Sequence, residues 1–165
     1  MIINQLKKWL LSRSRRPGVN VTTIVLHGTD GASASSSIEW LRQIKYSYHY
    51  IIGPTGAITK CVPVGRVAFH AGKSFGPNGD NVNEYSIGIA FDVFESRGEL
   101  VTDDQVDAAI ELIRELRRAD TNVQHITTHY AISPGRKTDP ATLTREQART
   151  IRGACAPLGL WGVRV

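Results

Sequence analysis

A chain of 165 residues has the size of a single domain and is long enough to bury most of the surface that its unfolded form exposes. Apolar residues make up 41% of it and charged residues 21%, which are ordinary values for a globular protein. No apolar run approaches the length of a bilayer-spanning helix, so the composition excludes a helical membrane protein and predicts a soluble one.

The formal net charge of +5 is concentrated in residues 1–18, which hold five basic side chains and no acidic one, leaving 15 basic and 15 acidic side chains elsewhere. Apolar residues recur there at helical spacing, which predicts a short basic amphipathic helix that ends before Pro17. Such a helix either packs on the domain of residues 19–165 or contacts an anionic surface. The apolar stretch at residues 9–11 is too short for a signal peptide, so we expect a cytoplasmic protein.

The first predicted strand ends in a histidine. Residues 21–27 are β-branched and apolar, which predicts a buried strand that stops at a turn on Gly28. Ser36 and Glu39 have the spacing of a capping box, which predicts that a short helix begins there and runs through Ile44. A polar imidazole is thereby placed at the tip of a core strand.

A hairpin and a further strand follow this helix. Residues 46–52 and 57–62 are two strand-like runs, and the turn at residues 53–56 (GPTG) supplies the dihedral angles that a hairpin needs. Residues 71–82 lack periodicity and are rich in Gly, Asn, Ser and Pro, which predicts a surface loop. Residues 85–91 predict the next strand.

Two capping boxes mark helices in the second half of the chain. The box at residues 102–105 opens a long helix, and the box at residues 144–147 opens a last helix that ends near Pro157. The apolar positions that form the buried stripe of the long helix are Val106, Ala109, Ile110, Ile113 and Leu116. Between the two helices, residues 124–128 predict a short strand that leads into His129.

Strands that alternate with helices, with one pair joined by a hairpin, predict a single α/β domain in which helices cover a mixed central sheet. The two cysteines, Cys61 and Cys155, lack a metal-binding spacing with each other or with a histidine pair. We therefore expect both to be buried as small hydrophobic side chains.

Three side chains could bind a metal ion. His27 and His129 lie at the ends of predicted strands, and Asp139 lies in the loop that follows His129. Two imidazoles and one carboxylate leave one position of a tetrahedral zinc ion open, which is typical of a catalytic site. Bound zinc lowers the pKa of a water molecule towards about 7 and polarises a carbonyl group. The spacing alone is a weak signal, because no compact ligand motif is present.

The sequence around these residues resembles the zinc-dependent N-acetylmuramoyl-L-alanine amidases of the phage-lysozyme and peptidoglycan-recognition-protein type. The matching segments are residues 24–29 (IVLHGT), 48–52 (YHYII), 68–72 (AFHAG), 86–89 (SIGI) and 129–140 (HYAISPGRKTDP). They occur in the family's order and span roughly residues 21–142. The last segment is the most specific, because it pairs a histidine with a Lys-x-Asp at the family's spacing. The resemblance implies an amidase fold with a zinc site at strand ends in a surface groove.

Carried over by residue, the resemblance implies zinc on His27, His129 and Asp139. Lys137 falls where the family keeps a cation facing the scissile carbonyl, and a cation beside zinc can stabilise an oxyanion. Tyr48 matches the active-site tyrosine, whose hydroxyl can hydrogen-bond the water or the carbonyl oxygen.

Three further residues are predicted to line the substrate groove. His70 matches a histidine of the substrate cleft and is predicted to contact the stem peptide. Asn83 and Trp40 could also line this groove, although a turn and core packing are rival explanations for them.

The sequence departs from the family at one position. Members that recycle wall fragments carry a glutamate after the Ser-Ile-Gly-Ile segment, where this chain has Ala90. The general base is then Asp92, Tyr48 or the water on the metal, and the residues do not decide among them. Phage-type members also lack this glutamate, so Ala90 favours a phage or prophage endolysin.

Two other histidines need separate treatment. His125 is four residues before His129 on a predicted strand and would face the same way, which makes it a rival ligand. The Lys-x-Asp segment follows His129 at the family's distance and favours His129. His49 points away from Tyr48 and is predicted to be structural.

The resemblance implies cleavage of the amide bond between N-acetylmuramic acid and L-alanine. The alternatives are a host enzyme of wall-fragment recycling or remodelling, and a recognition module that binds without cutting. Asp139 favours catalysis, because non-catalytic members typically lose the third ligand. We expect a monomer without a nucleic-acid partner, stored in the cytoplasm and released to the wall through a holin. Its N-terminal segment is expected to make weak contact with anionic membrane or wall polymer.

Overall fold

The computed structural model describes residues 3–6, 9–15, 17–119, 122–160 and 162. The strands in these ranges are β1 (Ile3–Gln5), β2 (Ser12–Ser14), β3 (Thr23–Gly28), β4 (Tyr50–Ile52), β5 (Ile58–Lys60), β6 (Arg66–Ala68), β7 (Phe75–Gly76), β8 (Gly79–Asp80), β9 (Ser86–Phe91), β10 (His125–Thr128) and β11 (Gly159–Leu160). The α-helices are α1 (Ala34–Ile44), α2 (Asp103–Ala119), α3 (His129–Ile132) and α4 (Arg145–Ala154). Single 3-10 turns occupy Val82–Tyr85 and Glu95–Arg97.

Seven of these strands form the central sheet, in the order β1-β5-β4-β9-β3-β10-β11. The hairpin of β4 and β5 is antiparallel, whereas β3 runs parallel to both of its neighbours, β9 and β10. Parallel strands need helical or long connections between them, and α1, α2 and α4 supply these. The sheet and its helices confirm the predicted single α/β domain with a mixed sheet.

Helices cover both faces of the sheet. On one face α2 and α4 pack through Ile113 and Ile151 onto Ile24, Ile89 and neighbouring apolar residues of the sheet. On the other face α1 packs on β4 and β9, where its residues Ile38 and Leu41 contact buried apolar side chains. Because β3 is buried on both faces, it consists almost entirely of apolar and β-branched residues, as a central parallel strand requires.

The structure confirms two of the three predicted capping boxes. The boxes at residues 102–105 and 144–147 are present, with reciprocal side-chain and backbone hydrogen bonds. The predicted box of Ser36 and Glu39 is wrong, because α1 is capped by Ser33, whose side chain accepts a hydrogen bond from the backbone N–H of Ser36. A run of serines offers several caps, and the helix begins three residues earlier than predicted, so that Ser36 lies in its first turn.

The predicted N-terminal amphipathic helix is also wrong. Residues 3–5 pair with β5 as a parallel strand, and residues 12–14 pair with β6 as an antiparallel strand. Leu10 is 3% exposed, and the guanidinium of Arg15 reaches into the domain, so the segment packs on the sheet as extended chain. Open edges of β5 and β6 offered unpaired backbone groups, and pairing with them outweighed helical periodicity. The charges of Lys7, Lys8 and Arg16 lie outside the described residues, and contact with an anionic surface stays a prediction.

Smaller elements refine the remaining predictions. The loop of residues 71–82 contains the short hairpin of β7 and β8, and the sequence analysis missed β6 and β11. Cys61 and Cys155 are buried free thiols, as predicted, and burial raises the pKa of Cys61 to about 12. Among the described residues, no helix has the length and apolar character needed to cross a membrane.

Candidate metal centre

His27 lies at the carboxyl end of the central strand β3 and is completely buried. Its neighbours in the sheet place it beside Ala90 of β9, and the turn at Gly28 follows immediately. Because Gly28 has no side chain, the carboxylate of Glu95 can approach closely, to 2.5 Å from the position that a Cβ atom would occupy. The buried strand thus brings one imidazole, without freedom to move, to the edge of the sheet where strands β9 and β10 also end.

His129 and Asp139 join His27 at this edge. Strand β10 pairs with β3 up to Thr128, so His129, the next residue, lies beside His27 with ring centroids 4.5 Å apart. The backbone N–H of Tyr130 donates to the carbonyl oxygen of Asp139 at 2.9 Å and fixes the returning loop. One carboxylate oxygen, Oδ2 of Asp139, then lies 3.0 Å from Nδ1 of His129 and 3.3 Å from Nδ1 of His27. The potential ligand atoms of all three residues lie within 4.8 Å of one another.

The protonation of these groups suits a cation. Nε2 of His129 lies 3.3 Å from the carbonyl oxygen of Ala71, so its Nδ1 is the nitrogen that faces Oδ2 of Asp139. Burial and the neighbouring His129 lower the pKa of His27 to about 4, so its ring is neutral, and its buried Nδ1 makes no hydrogen bond. Burial acts to raise the pKa of Asp139, but contacts with His129 and His27 hold it well below its ordinary value.

Nδ1 of His27, Nδ1 of His129 and Oδ2 of Asp139 therefore converge at one point. This combination of nitrogen and oxygen donors matches the catalytic zinc sites that keep a fourth position open for water or substrate. The residues fit a zinc ion, and the structure brings together all three ligands that the sequence predicts.

The centre opens into a cleft of about 550 Å³ on the protein surface. Lys137, Tyr48 and Asp139 line this cleft together with the exposed aromatic side chains of Trp40 and Tyr46. The ring of Tyr48 lies 5.0 Å from that of His27, and burial raises the pKa of its hydroxyl, which stays protonated. The predicted surface groove is present, and the structure places Lys137 and Tyr48 at the metal centre, where the sequence predicts them.

His70 and Asn83 border a smaller neighbouring cavity of about 140 Å³. His70 is buried, and its Nδ1 lies 2.9 Å from Nε2 of His27. The side-chain oxygen of Asn83 accepts hydrogen bonds from the backbone N–H groups of His70 and Ala71 at 3.0 and 2.8 Å. Contact of these two residues with substrate stays a prediction, but the structure already gives both a role within the protein.

The rival ligand His125 does not join the centre. Strand β10 ends at Thr128 and His129 begins helix α3, so the two histidines do not share one strand face, and the inference from a period of two was wrong. His49, predicted to be structural, is buried; its Nδ1 accepts from the backbone N–H of Gly88 and its Nε2 donates to the carbonyl of Arg66. Burial lowers the pKa of His49 to about 3.

Carboxylates near the centre include one that the sequence analysis missed. Asp92, a predicted candidate for the general base, is 5% exposed and accepts hydrogen bonds from Thr29 and Ser37, which directs it towards α1. Glu95 instead lines the cleft, where its Oε1 accepts from the backbone and hydroxyl of Thr142, and burial raises its pKa. No motif marks Glu95 in the sequence, because a loop after β9 brings it to the cleft.

Comparison with known proteins identifies the family of the chain. The family model described as N-acetylmuramoyl-L-alanine amidase matches residues 17–142. The chain therefore belongs to the N-acetylmuramoyl-L-alanine amidase family, which confirms the resemblance seen in the sequence. The matched range contains all three candidate ligands, together with Tyr48 and Lys137.

One curated relative and two solved structures illustrate the similarity. Over 114 residues the chain is 30% identical to the 1,6-anhydro-N-acetylmuramyl-L-alanine amidase AmpD of Escherichia coli K12, and the match spans 68% of this chain but only 61% of that relative. A crystal structure of a selenomethionine AmpD derivative has a TM-score of 0.76 at 22% identity and covers 90% of this chain and 93% of its own, which shows the shared fold. The endolysin LysCS of Clostridium intestinale, an N-acetylmuramoyl-L-alanine amidase, has a TM-score of 0.63 at 26% identity over 81% of this chain and 84% of its own.

Proposed function

We propose that the protein is a zinc-dependent amidase that hydrolyses the bond between N-acetylmuramic acid and L-alanine in peptidoglycan. The observation that carries this proposal is the convergence of His27, His129 and Asp139 within 4.8 Å at the base of an open cleft, in a chain of the amidase family. A recognition module that only binds wall fragments has no need of a complete ligand set with one position left for water.

His27, His129 and Asp139 would hold the zinc ion. When bound, zinc supplies a Lewis acid that polarises the scissile carbonyl and lowers the pKa of water. The low pKa of Asp139 keeps its carboxylate ionised at neutral pH, and the depressed pKa of His27 keeps its ring neutral, so neither ligand needs to lose a proton first. His27 and Asp139 are thus in the protonation states that metal binding requires.

Lys137 and Tyr48 would act on the substrate itself. Lys137 lines the cleft two residues before Asp139, where its ammonium group can stabilise the oxyanion that forms when the carbonyl is attacked. Tyr48 keeps its proton because burial raises its pKa, so its hydroxyl serves as a hydrogen-bond donor to the same oxygen. Each residue then contributes more in the transition state than in the bound ground state.

Glu95 is the carboxylate that we propose to receive a proton from the attacking water and to pass it to the departing amine of L-alanine. It is half-buried at the cleft wall, it is not engaged with α1 as Asp92 is, and burial and the nearby Asp139 raise its pKa. A carboxylate with a raised pKa is the type of group that transfers protons near neutral pH.

The test is a direct assay of the bond. Purified protein receives intact sacculi and, separately, soluble anhydro-muropeptide, and the products are identified by mass. Release of free stem peptides that begin with L-alanine is the expected result, and it should cease with a chelator and return with added zinc. Binding without cleavage by the zinc-loaded protein would overturn the enzyme proposal in favour of a recognition module.

The same assay separates the two biological roles. The AmpD relative is named for a 1,6-anhydro fragment, and the Clostridium intestinale relative is named as an endolysin. Cleavage of intact sacculi would support the endolysin role that Ala90 favours, including storage in the cytoplasm until release through a holin. Cleavage restricted to the soluble fragment would instead support fragment recycling in a host cell.

A further inference from the structure

His70 is a buried imidazole that the proposed reaction does not use. It follows β6 and lies against the backbone of β9, where a Cβ atom at Gly88 would meet its ring at 2.6 Å. The side-chain oxygen of Asn83 accepts a hydrogen bond from the backbone N–H of His70, so both the backbone and the ring of His70 are held in place. Such close confinement of a polar ring next to a metal ligand calls for a physical explanation.

A hydrogen-bond chain runs from the backbone through this ring to His27. The hydroxyl of Ser86 donates to the carbonyl oxygen of Val82 at 2.6 Å. Its oxygen lies 3.2 Å from Nε2 of His70 and, having used its proton, can only accept there. Nε2 of His70 therefore carries the proton, and Nδ1 of the neutral ring accepts from Nε2 of His27 at 2.9 Å.

The direction of these hydrogen bonds decides whether the nitrogen of His27 that faces the metal centre carries a lone pair or a proton. If Nε2 of His27 carries the proton, its Nδ1 presents a lone pair towards Oδ2 of Asp139. In the reverse arrangement, Nε2 of His70 and the oxygen of Ser86 would face each other as two acceptors. In the metal-bound protein the lone pair on Nδ1 of His27 is satisfied in the first arrangement, whereas the reverse arrangement leaves a buried polar group without a partner at a cost of about 1–3 kcal/mol, which favours the first.

We propose that His70 is a positioning residue which, together with Ser86, fixes the tautomer and the ring orientation of His27 for metal binding through Nδ1. This inference rests on the zinc site proposed above. Partners that hold the second nitrogen of a metal-binding histidine generally raise metal affinity, and their loss costs about 10–100-fold.

Zinc affinity of the whole chain, measured by competition with a chelator, tests the proposal without reference to activity. We expect His70→Phe to weaken zinc binding about 10–100-fold, because it removes the acceptor for His27. His70→Asn, whose side-chain oxygen replaces Nδ1, should recover part of that loss, and Ser86→Ala should lie between the wild type and His70→Phe. Ile89→Ala is the control. Ile89 lies on the same strand as Ser86 but on the opposite face of the sheet, so this substitution should lower stability without changing zinc affinity.

Nitrogen NMR of the zinc-loaded wild type gives an independent result. Histidine labelled with ¹⁵N should show His27 with its proton on Nε2 and zinc on Nδ1, and this measurement decides the question even where His70→Phe does not fold. A proton on Nδ1 of His27, or unchanged zinc affinity in folded His70→Phe, would overturn the proposal. Absence of stoichiometric zinc binding by the wild type would instead overturn the zinc site of the proposed function.

Discussion

His27 and Asp139 reach the same metal centre from two supports of different kinds. His27 belongs to a central strand, is completely buried, and contacts a second buried ring through Nε2. Asp139 belongs to a surface loop, keeps 16% of its side chain exposed, and is held mainly through its backbone by Tyr130. We call His27, together with the buried rings of His49 and His70, the strand side of the centre. Asp139 and Lys137, in the loop after His129, form its loop side.

This difference in support suits the two sides to different functions. One side places a ligand precisely, and the other presents catalytic side chains. Buried polar groups on the strand side are expensive to disturb, because each lost partner leaves another group unsatisfied. Loops tolerate change with little loss of stability, and they carry catalytic side chains on a rigid scaffold. The strand side therefore defines the ligand geometry, whereas the loop side supplies Asp139 together with the cleft residue Lys137.

The largest expected effects come from removing one ligand on each side. His27→Ala and Asp139→Ala should both abolish stoichiometric zinc and amidase activity, because each leaves two of three ligands. Only His27→Ala should also lower the free energy of unfolding by roughly 2–5 kcal/mol in chelator, since it empties a fully buried site. Metal analysis and urea unfolding measure both. Full zinc retention and normal activity in Asp139→Ala would remove Asp139 from the centre.

Lys137→Met tests the loop side without touching a ligand. The substitution keeps most of the apolar stem and removes the charge, so kcat should fall about a hundredfold, the scale of losing one oxyanion donor. Zinc content and muropeptide affinity should hardly change, because the interaction forms only in the transition state. Lys73→Met, at an exposed lysine outside the cleft, is the matched control. Normal turnover in Lys137→Met would show that Lys137 is an ordinary surface lysine.

Acid should act on the strand side first. Burial lowers the pKa values of His27 to about 4, of His49 to about 3, and of His70 well below its ordinary value. Because the unfolded chain binds protons near pH 6.5 and the folded chain does not, stability falls as the pH drops below 6.5, by up to about 1.4 kcal/mol per pH unit for each ring. The lowered pKa of Asp139 places its own loss of stabilisation below pH 3.8.

Urea unfolding of the chain in chelator at pH 7, 6 and 5 measures this slope. His49→Gln should reduce it by the share of one histidine, since His49 lies on the strand side but is not a ligand. A free energy of unfolding that stays constant from pH 7 to 5 would contradict the burial of neutral rings.

The smallest expected effect comes from the N-terminal segment behind the strand side. The guanidinium of Arg15 donates to the backbone carbonyls of Ser86, Glu84 and Val64, so it supports the residues that hold His70. Arg15→Met should cost about 1–3 kcal/mol of stability by leaving these carbonyls unsatisfied, and should weaken zinc binding less than His70→Phe does. Arg149→Met, on the exposed face of α4, is the control.

A truncation that starts at Pro17 should lose at least as much stability as Arg15→Met. If the truncated chain keeps the stability of the wild type and loses only salt-sensitive activity on intact cells, the prediction that residues 1–16 serve attachment to an anionic surface would replace this explanation.

Sequence reasoning succeeded where local chemistry dominates. The strand before His27, the capping boxes of α2 and α4, and the hairpin of β4 and β5 are confirmed, because periodicity, caps and turn residues act over a few neighbouring positions. Sequence reasoning failed for the structure of the N-terminal segment and for the prediction that His125 and His129 lie on one face of a single strand. In both cases the decisive partner, an open strand edge or the beginning of α3, is not visible in the local pattern.

The sequence by itself determined the α/β class and the family motifs, because both depend on residue types at short spacing, and through the family resemblance it predicted the three candidate ligands. Only the tertiary structure decided that His70 contacts His27 and Ser86, that Arg15 contacts the carbonyl of Ser86, and that Glu95 reaches the cleft. Those contacts join residues many positions apart. Their hydrogen bonds need interatomic distances that are correct to within a few tenths of an ångström. Such distances arise only when the sheet and its loops have packed together.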